Sequence, residues 1–235
     1  MIKALIFDVD GTLADTEEAH RQAFNATFAN HCLGWQWSAV EYRRLLKTTG
    51  GKERIAAYID GMKLMPNERA TLMALVPALH AEKNRRYAAS VAGGQVQLRD
   101  GVARLIDEAL DAGCRLAIAS TTSAENVDAL LGATLGSALF EVIACGDQVA
   151  AKKPAPDIYL AALQALKLRA DEAIAIEDSG PGLASAVAAG LWTLVTPNVW
   201  TADSDFDAAD LVLPRVPRYA ALLRHHSKST TARRL

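Results

Sequence analysis

Short apolar runs punctuate this chain, but they are unevenly spaced. Residues 2–7 read IKALIF and stop at the polar turn 8–11, the pattern of a buried strand. Similar runs recur at 115–119 (RLAIA), 142–144, 173–176 (AIAI), 192–195 and 211–213. Segments with helical spacing lie between them, over 102–112, 124–131, 156–166 and 181–189. Gly113 and Gly190 each follow a helix and precede a strand, where glycine ends a helix. Strands alternating with helices predict an α/β fold over 95–215, a doubly wound parallel sheet with helices on both faces.

Residues 16–90 contain no convincing strand. Helices are predicted over 16–30, 38–46, 52–60 and 66–87, separated by Gly34, Gly50-Gly51 and Gly61-Met62. An all-helical stretch after the first strand predicts an inserted helical domain over 16–91. The α/β core then comprises 1–15 and 92–217, and the chain re-enters it through Ala92-Gly93-Gly94. The remainder, 218–235, carries Arg224, His225, His226, Lys228, Arg233 and Arg234 and reads as a solvated, frayed basic tail.

Composition narrows the function classes. The 235 residues are 51% apolar and 22% charged, as in an ordinary globular protein. Lys plus Arg number 25 against 27 for Asp plus Glu, a net charge of −2 that gives no ground for a nucleic-acid or anionic-membrane partner. No apolar run approaches the roughly 18 residues of a membrane span, and MIKALIF leads into acids without a signal-peptide pattern. Cys32, Cys114 and Cys145 form no CxxC pair and read as buried, reduced thiols. A soluble, cytoplasmic monomer is expected.

Ligands of such sheets bind beyond the carboxyl ends of the strands, so the residues after each strand carry the chemistry. The first strand is followed by Asp8-Val9-Asp10-Gly11-Thr12, the next by Ser120-Thr121-Thr122. Lys152-Lys153-Pro154 comes after the third, Glu177-Asp178-Ser179-Gly180 after the fourth. Each fragment alone has a structural reading: an Asp-rich turn, a hydroxyl N-cap, a surface lysine pair, or acids at a helix N-terminus. Together they offer carboxylates suited to Mg²⁺, with a lysine and hydroxyls to hold phosphate oxygens. That set points to phosphoryl transfer, in which positioning and charge neutralisation supply most of the catalysis.

In order and spacing, DVDGT (8–12), IASTT (118–122), KKPAPD (152–157) and AIEDSGPG (175–182) resemble the haloacid dehalogenase superfamily of phosphatases. The insert resembles the cap of its first subfamily, shared with β-phosphoglucomutase, through TEEAHRQAFNATF (16–28), EYRRLLKTTGGKERIA (41–56) and HAEK (80–83). The resemblance implies that Asp8 is the nucleophile and Asp10 the general acid, then base. It places Thr12 near the phosphate and has Ser120, with the Thr121 amide, bind the transferring group. Lys153 rather than Lys152 neutralises that group, because the family's lysine directly precedes proline. Mg²⁺ is implied at Asp8, the Asp10 carbonyl and Asp178, with Glu177 either ligated or close by. Dehalogenases of the superfamily lack the second acid that Asp10 supplies.

The cap is expected to choose the substrate, a phosphorylated sugar. Gly50-Gly51-Lys52-Glu53-Arg54 suits a second phosphate at a helix N-terminus, or else simply separates two helices. Glu17, His20 and Arg21 share one helix, with Glu17 and Arg21 spaced as an i,i+4 pair; they contact sugar hydroxyls or form a structural ion pair. Tyr42, His80 and Lys83 are further candidates, equally readable as cap surface, while Trp35 and Trp37 pack the cap. The resemblance favours an Mg²⁺-dependent phosphatase of a pentulose bisphosphate, xylulose 1,5-bisphosphate. A mutase of the β-phosphoglucomutase type has the same core residues, and a broader phosphoglycolate or sugar-phosphate phosphatase remains open. A non-catalytic binding module has no need of both Asp8 and Asp10.

Overall fold

The computed structural model describes residues 1–232. Six parallel strands form one sheet in the order β3-β2-β1-β4-β5-β6. They are β1 (Ala4–Phe7), β2 (Arg115–Ser120), β3 (Val142–Cys145), β4 (Ala173–Glu177), β5 (Trp192–Val195) and β6 (Leu211–Val212). Every side chain of β1 is buried because it lies between β2 and β4 with helices on both faces. Leu5 and Phe7 point to one face, packing with residues of α5 (Val102–Asp111), α6 (Ala124–Ala133) and α9 (Tyr219–Ala232). Ala4 and Ile6 point to the other, against α7 (Asp157–Leu166) and α8 (Gly180–Ala188). This period-two split produces the double winding.

The insert is wholly helical: α1 (Glu17–Asn30), α2 (Ala39–Leu45), α3 (Gly51–Asp60) and α4 (Pro66–Ala92). Its apolar faces meet in a cluster of their own, built on Phe24, Phe28, Trp37, Tyr42, Ile55, Ile59 and Leu79, with Trp35 packed against it. Helix α4 runs past the expected end at 87, since Ala88, Ala89, Ser90, Val91 and Ala92 contain no breaker before Gly93.

Two expectations fail. The segment from 218 does not start as a frayed tail: α9 lays Tyr219 and the fully buried Leu222 onto the sheet-facing cluster. Apolar burial at i and i+3 overrides the basic composition of that segment. Arg233 and Arg234, expected in that tail, lie outside the described residues. Cys114 and Cys145 are buried thiols, but Cys32 is exposed. Among the described residues, no helix is long and apolar enough to cross a membrane.

Candidate active site

Strand connections reverse direction across β1, so β1 and β4 end side by side and their following turns share one crevice. Asp8 leaves β1 with its amide bonded to the Ile176 carbonyl of β4, at 3.0 Å. Glu177 and Asp178 leave β4, and ligand oxygens of all three acids lie within 4.8 Å of one another. Lys153 Nζ donates to Asp8 Oδ1 at 2.6 Å, to Glu177 Oε1 at 2.7 Å and to the Ala119 carbonyl at 2.8 Å. Burial works against the Lys153 charge, but the two carboxylates raise its pKa overall. Burial likewise lifts Asp8 to about 7, with Glu177 pushing the same way and Lys153 pulling against. Asp178 stands well above the usual carboxylate range, first through burial and then through Asp8 and Glu177.

Three buried carboxylates against one buried ammonium leave an excess of negative charge out of water. Such a donor set, all oxygen and clustered, fits a hard divalent cation. The cluster can therefore hold a metal. Glu177 is the least free of the three. Its Oε1 also accepts from the Tyr159 hydroxyl at 2.6 Å, while its Oε2 faces the Asp178 amide at 3.3 Å and packs onto Gly182.

Asp10 lies in the turn that follows β1. Its Oδ1 accepts from Thr16 Oγ1 at 2.7 Å and from His20 Nε2 at 2.9 Å. The other ring nitrogen, Nδ1, faces Lys83 Nζ at 2.7 Å, which assigns the ring proton to Nε2. Tyr87 stacks on the ring, centroids 3.9 Å apart. Burial pushes the Asp10 carboxyl up, but His20 and Thr16 outweigh it and hold it well below its ordinary value. Lys83 is only 3% exposed, and burial brings its pKa down to about 7 despite the pull of Asp10.

Between these groups and the cap lies a cavity of about 730 Å³. Among the predicted residues, Asp8, Asp10, Glu17, His20, Gly50, Gly51, Arg54, His80, Lys83, Thr121, Thr122, Lys153 and Asp178 line it. Gly50 takes φ +89° ahead of α3, and a Cβ on Gly51 would stand 2.6 Å from the His80 ring, so both positions demand glycine. Burial, with Lys83 behind it, pushes His80 down to about 3, leaving the ring neutral.

Several predicted residues stand elsewhere. Arg21 does not pair with Glu17; it grips Glu18 at 2.6 Å and the Trp37 carbonyl at 2.8 Å, turned away from the cavity. A hydrogen-bonded carbonyl on its other side makes i,i+3 the better spacing. Tyr42 is wholly buried and backs the lining, donating to Glu17 Oε2 at 2.8 Å and accepting from Arg54 Nη1 at 3.2 Å. Lys52 is exposed outside the lining. Thr12 lies behind the site, donating to Asp178 Oδ1 at 3.2 Å, and Ser120 accepts from the Thr122 amide at 3.2 Å. Lys152 also lines the cavity, and pairs with Glu53 of the cap at 2.9 Å.

Sequence reasoning missed Arg43, Arg44 and Lys47 in the lining, and Asn198 behind it. The three cations belong to the cap stretch already singled out, where a basic run over 43–47, on α2 and the turn after it, was the available signal. Asn198 follows β5, the one strand end among β1–β5 outside the four motifs.

A buried carboxylate beside a lysine, with a second acid two residues on, fits a hydrolase of phosphoric monoesters. The family model for haloacid dehalogenase-like hydrolases matches residues 2–190, and this chain belongs to that family. It is similar to the protein CbbY of Rhodobacter capsulatus, at 55% identity over 91% of this chain and 93% of that protein. Among solved structures it is similar to a mutant of CbbY from Rhodobacter sphaeroides in complex with xylulose 1,5-bisphosphate, with TM-score 0.83 and 47% identity over 92% of this chain and 95% of that one. A β-phosphoglucomutase from Clostridium difficile shares the fold, at TM-score 0.78 and 20% identity over 98% of this chain and 100% of that one.

Proposed function

We propose that this chain is an Mg²⁺-dependent sugar-phosphate phosphatase that hydrolyses xylulose 1,5-bisphosphate through an aspartyl-phosphate on Asp8. The observation that carries the reading is one cavity with two unlike ends. Asp8, Asp10 and Lys153 lie at the core end, while Arg43, Arg44, Lys47 and Arg54 line it from the cap. A bisphosphate supplies an anion for each end, and the likeness to CbbY supports the pentulose. Mg²⁺, held by Asp8, the Asp10 carbonyl and Asp178 with Glu177 beside them, would neutralise charge on the phosphoryl oxygens.

Asp8 attacks phosphorus as the bond to the sugar oxygen breaks, and the leaving alkoxide takes its proton from Asp10. Lys153 and the amides after β2 hold the phosphoryl oxygens. Asp10, left ionised by that transfer and aligned by Thr16 and His20, then takes a proton from the water that attacks phosphorus and carries it to the leaving oxygen of the next turnover. Inorganic phosphate leaves and Asp8 is restored. The cap excludes bulk water while Lys152 on the core pairs with Glu53 on the cap.

A phosphate-release screen of mono- and bisphosphorylated sugars with Mg²⁺ tests the reading. The highest kcat/KM is expected for xylulose 1,5-bisphosphate. No release from any sugar phosphate would reject a phosphatase, and a phospho-Asp8 that persists for minutes would replace it with a mutase.

A further inference from the structure

The loop after β5 is tied at one end to the acidic cluster and at the other to the cap. Asn198 Nδ2 donates to Asp178 Oδ2 at 2.7 Å and to the Gly11 carbonyl at 3.1 Å. A Cβ on Gly11 would approach that nitrogen to 2.6 Å, so the first turn closes onto the amide only because it carries glycine there, at φ +82°. Asn198 Oδ1 in turn accepts from the Trp200 amide at 2.8 Å, and its own amide donates to Thr201 Oγ1 at 3.1 Å. Arg99 fastens the same two segments, donating to the Gly11 carbonyl at 2.8 Å and the Pro197 carbonyl at 3.0 Å.

The next two residues of the loop carry the cap. Arg43 Nη2 donates to the Val199 carbonyl at 2.8 Å, and Trp200 meets the buried Tyr42 ring edge-on, centroids 5.6 Å apart. Among the described residues, the hydrogen bonds to Asp178 come from neutral donors, Thr12 on one oxygen and Asn198 on the other. Among the described residues, Asn198 is thus the one whose side chain bonds both to this carboxylate and to the backbone of the cap-bearing loop.

We propose that Asn198 is a positioning residue: it fixes the Asp178 carboxylate for the cation and transmits the seating of the cap on Val199 and Trp200 to that carboxylate. This rests on the phosphatase reading above, and it adds a residue from a fifth strand end. Partners that orient a ligating carboxylate typically contribute about ten- to a hundredfold in metal affinity.

The test is Mg²⁺ binding to the full chain by isothermal titration calorimetry, without substrate. Asn198→Ala removes the amide altogether. Asn198→Ser keeps a short acceptor for the Trp200 amide, preserving the turn, but cannot reach Asp178. Both are expected to raise the Mg²⁺ Kd about ten- to a hundredfold, with kcat largely restored at saturating Mg²⁺. Trp200→Ala is expected to weaken Mg²⁺ binding in the wild-type background and to add little on top of Asn198→Ser. An unchanged Kd in both Asn198 variants overturns the positioning role while leaving the phosphatase reading intact. Equal effects of Trp200→Ala in the two backgrounds overturn the link to the cap. Absence of Mg²⁺ binding by the wild type overturns the metal-dependent reading and this proposal with it.

Discussion

Arg54→Ala isolates the cap's part in substrate choice. The Arg54 guanidinium lines the cavity but donates only to neutral oxygens, the Leu45 carbonyl at 3.3 Å and the Tyr42 hydroxyl at 3.2 Å. It also lies over the Tyr42 ring, 5.3 Å from the centroid. Among the described residues no carboxylate ion-pairs with it, so its charge is available to an anion in the cavity. Tyr42 keeps its bond to Glu17 when Arg54 is removed, which spares the packing around it. A charge-assisted hydrogen bond contributes about 1.5–3 kcal/mol, or about ten- to a hundredfold in kcat/KM at roughly 1.4 kcal/mol per decade. The assay is kcat/KM of wild type and Arg54→Ala on xylulose 1,5-bisphosphate and on p-nitrophenyl phosphate. The bisphosphate is expected to lose that factor and the small ester almost nothing. Part of the loss belongs in kcat, because remote binding energy helps the cap close. Equal losses on both substrates, or none on either, would refute recognition of a distal phosphate by Arg54.

Three further outcomes are expected. Lys83→Met removes the buried ammonium against His20 and should lower kcat by about a hundredfold with circular dichroism unchanged; a loss under twofold would dissociate Lys83 from Asp10 chemistry. Because the Asp8 pKa is raised from 3.8 to about 7, the metal-free protein loses stability as pH rises across that window, when the buried group must ionise. Mg²⁺ at about a hundred times its Kd adds about 2.7 kcal/mol, or about 5–11 °C in Tm for a chain this size; calorimetry should show the larger shift near about pH 8 than near about pH 5, and equal shifts would contradict the buried-carboxylate account. Leu222→Ala opens a cavity under α9 and should cost about 2–5 kcal/mol in denaturant titration, whereas a solvated tail would lose nothing.

The sheet and the four strand ends that carry the motifs were readable because the responsible residues sit next to one another along the chain. Asp8 and Asp10 flank one turn, and Glu177 and Asp178 are adjacent, so the strand ends taken together announce them. Arg99 shows the opposite case. Its partners lie 88 to 98 residues away, at Gly11, Thr196 and Pro197, and no local pattern links them. Glu17 met Tyr42 instead of Arg21 because the Tyr42 ring of α2 packs against Phe24 of α1, a contact that helical periodicity does not encode. Helix α9 was obscured for another reason: its basic residues dominate the composition of the segment, while Tyr219 and Leu222, three apart, carry its packing. Asn198 was within reach, since the rule that ligands gather at carboxyl strand ends applies to β5 as well.

The central claim is that Asp8 carries the phosphoryl group, and acid quenching during turnover of xylulose 1,5-bisphosphate with Mg²⁺ tests it most directly. Peptide mass spectrometry should find one phosphoryl group on the peptide containing Asp8, and none in Asp8→Asn, which should also lose at least about 10³-fold in turnover. Phosphate release from wild type with the label on another residue, or a tenth of wild-type activity in Asp8→Asn, would contradict the account.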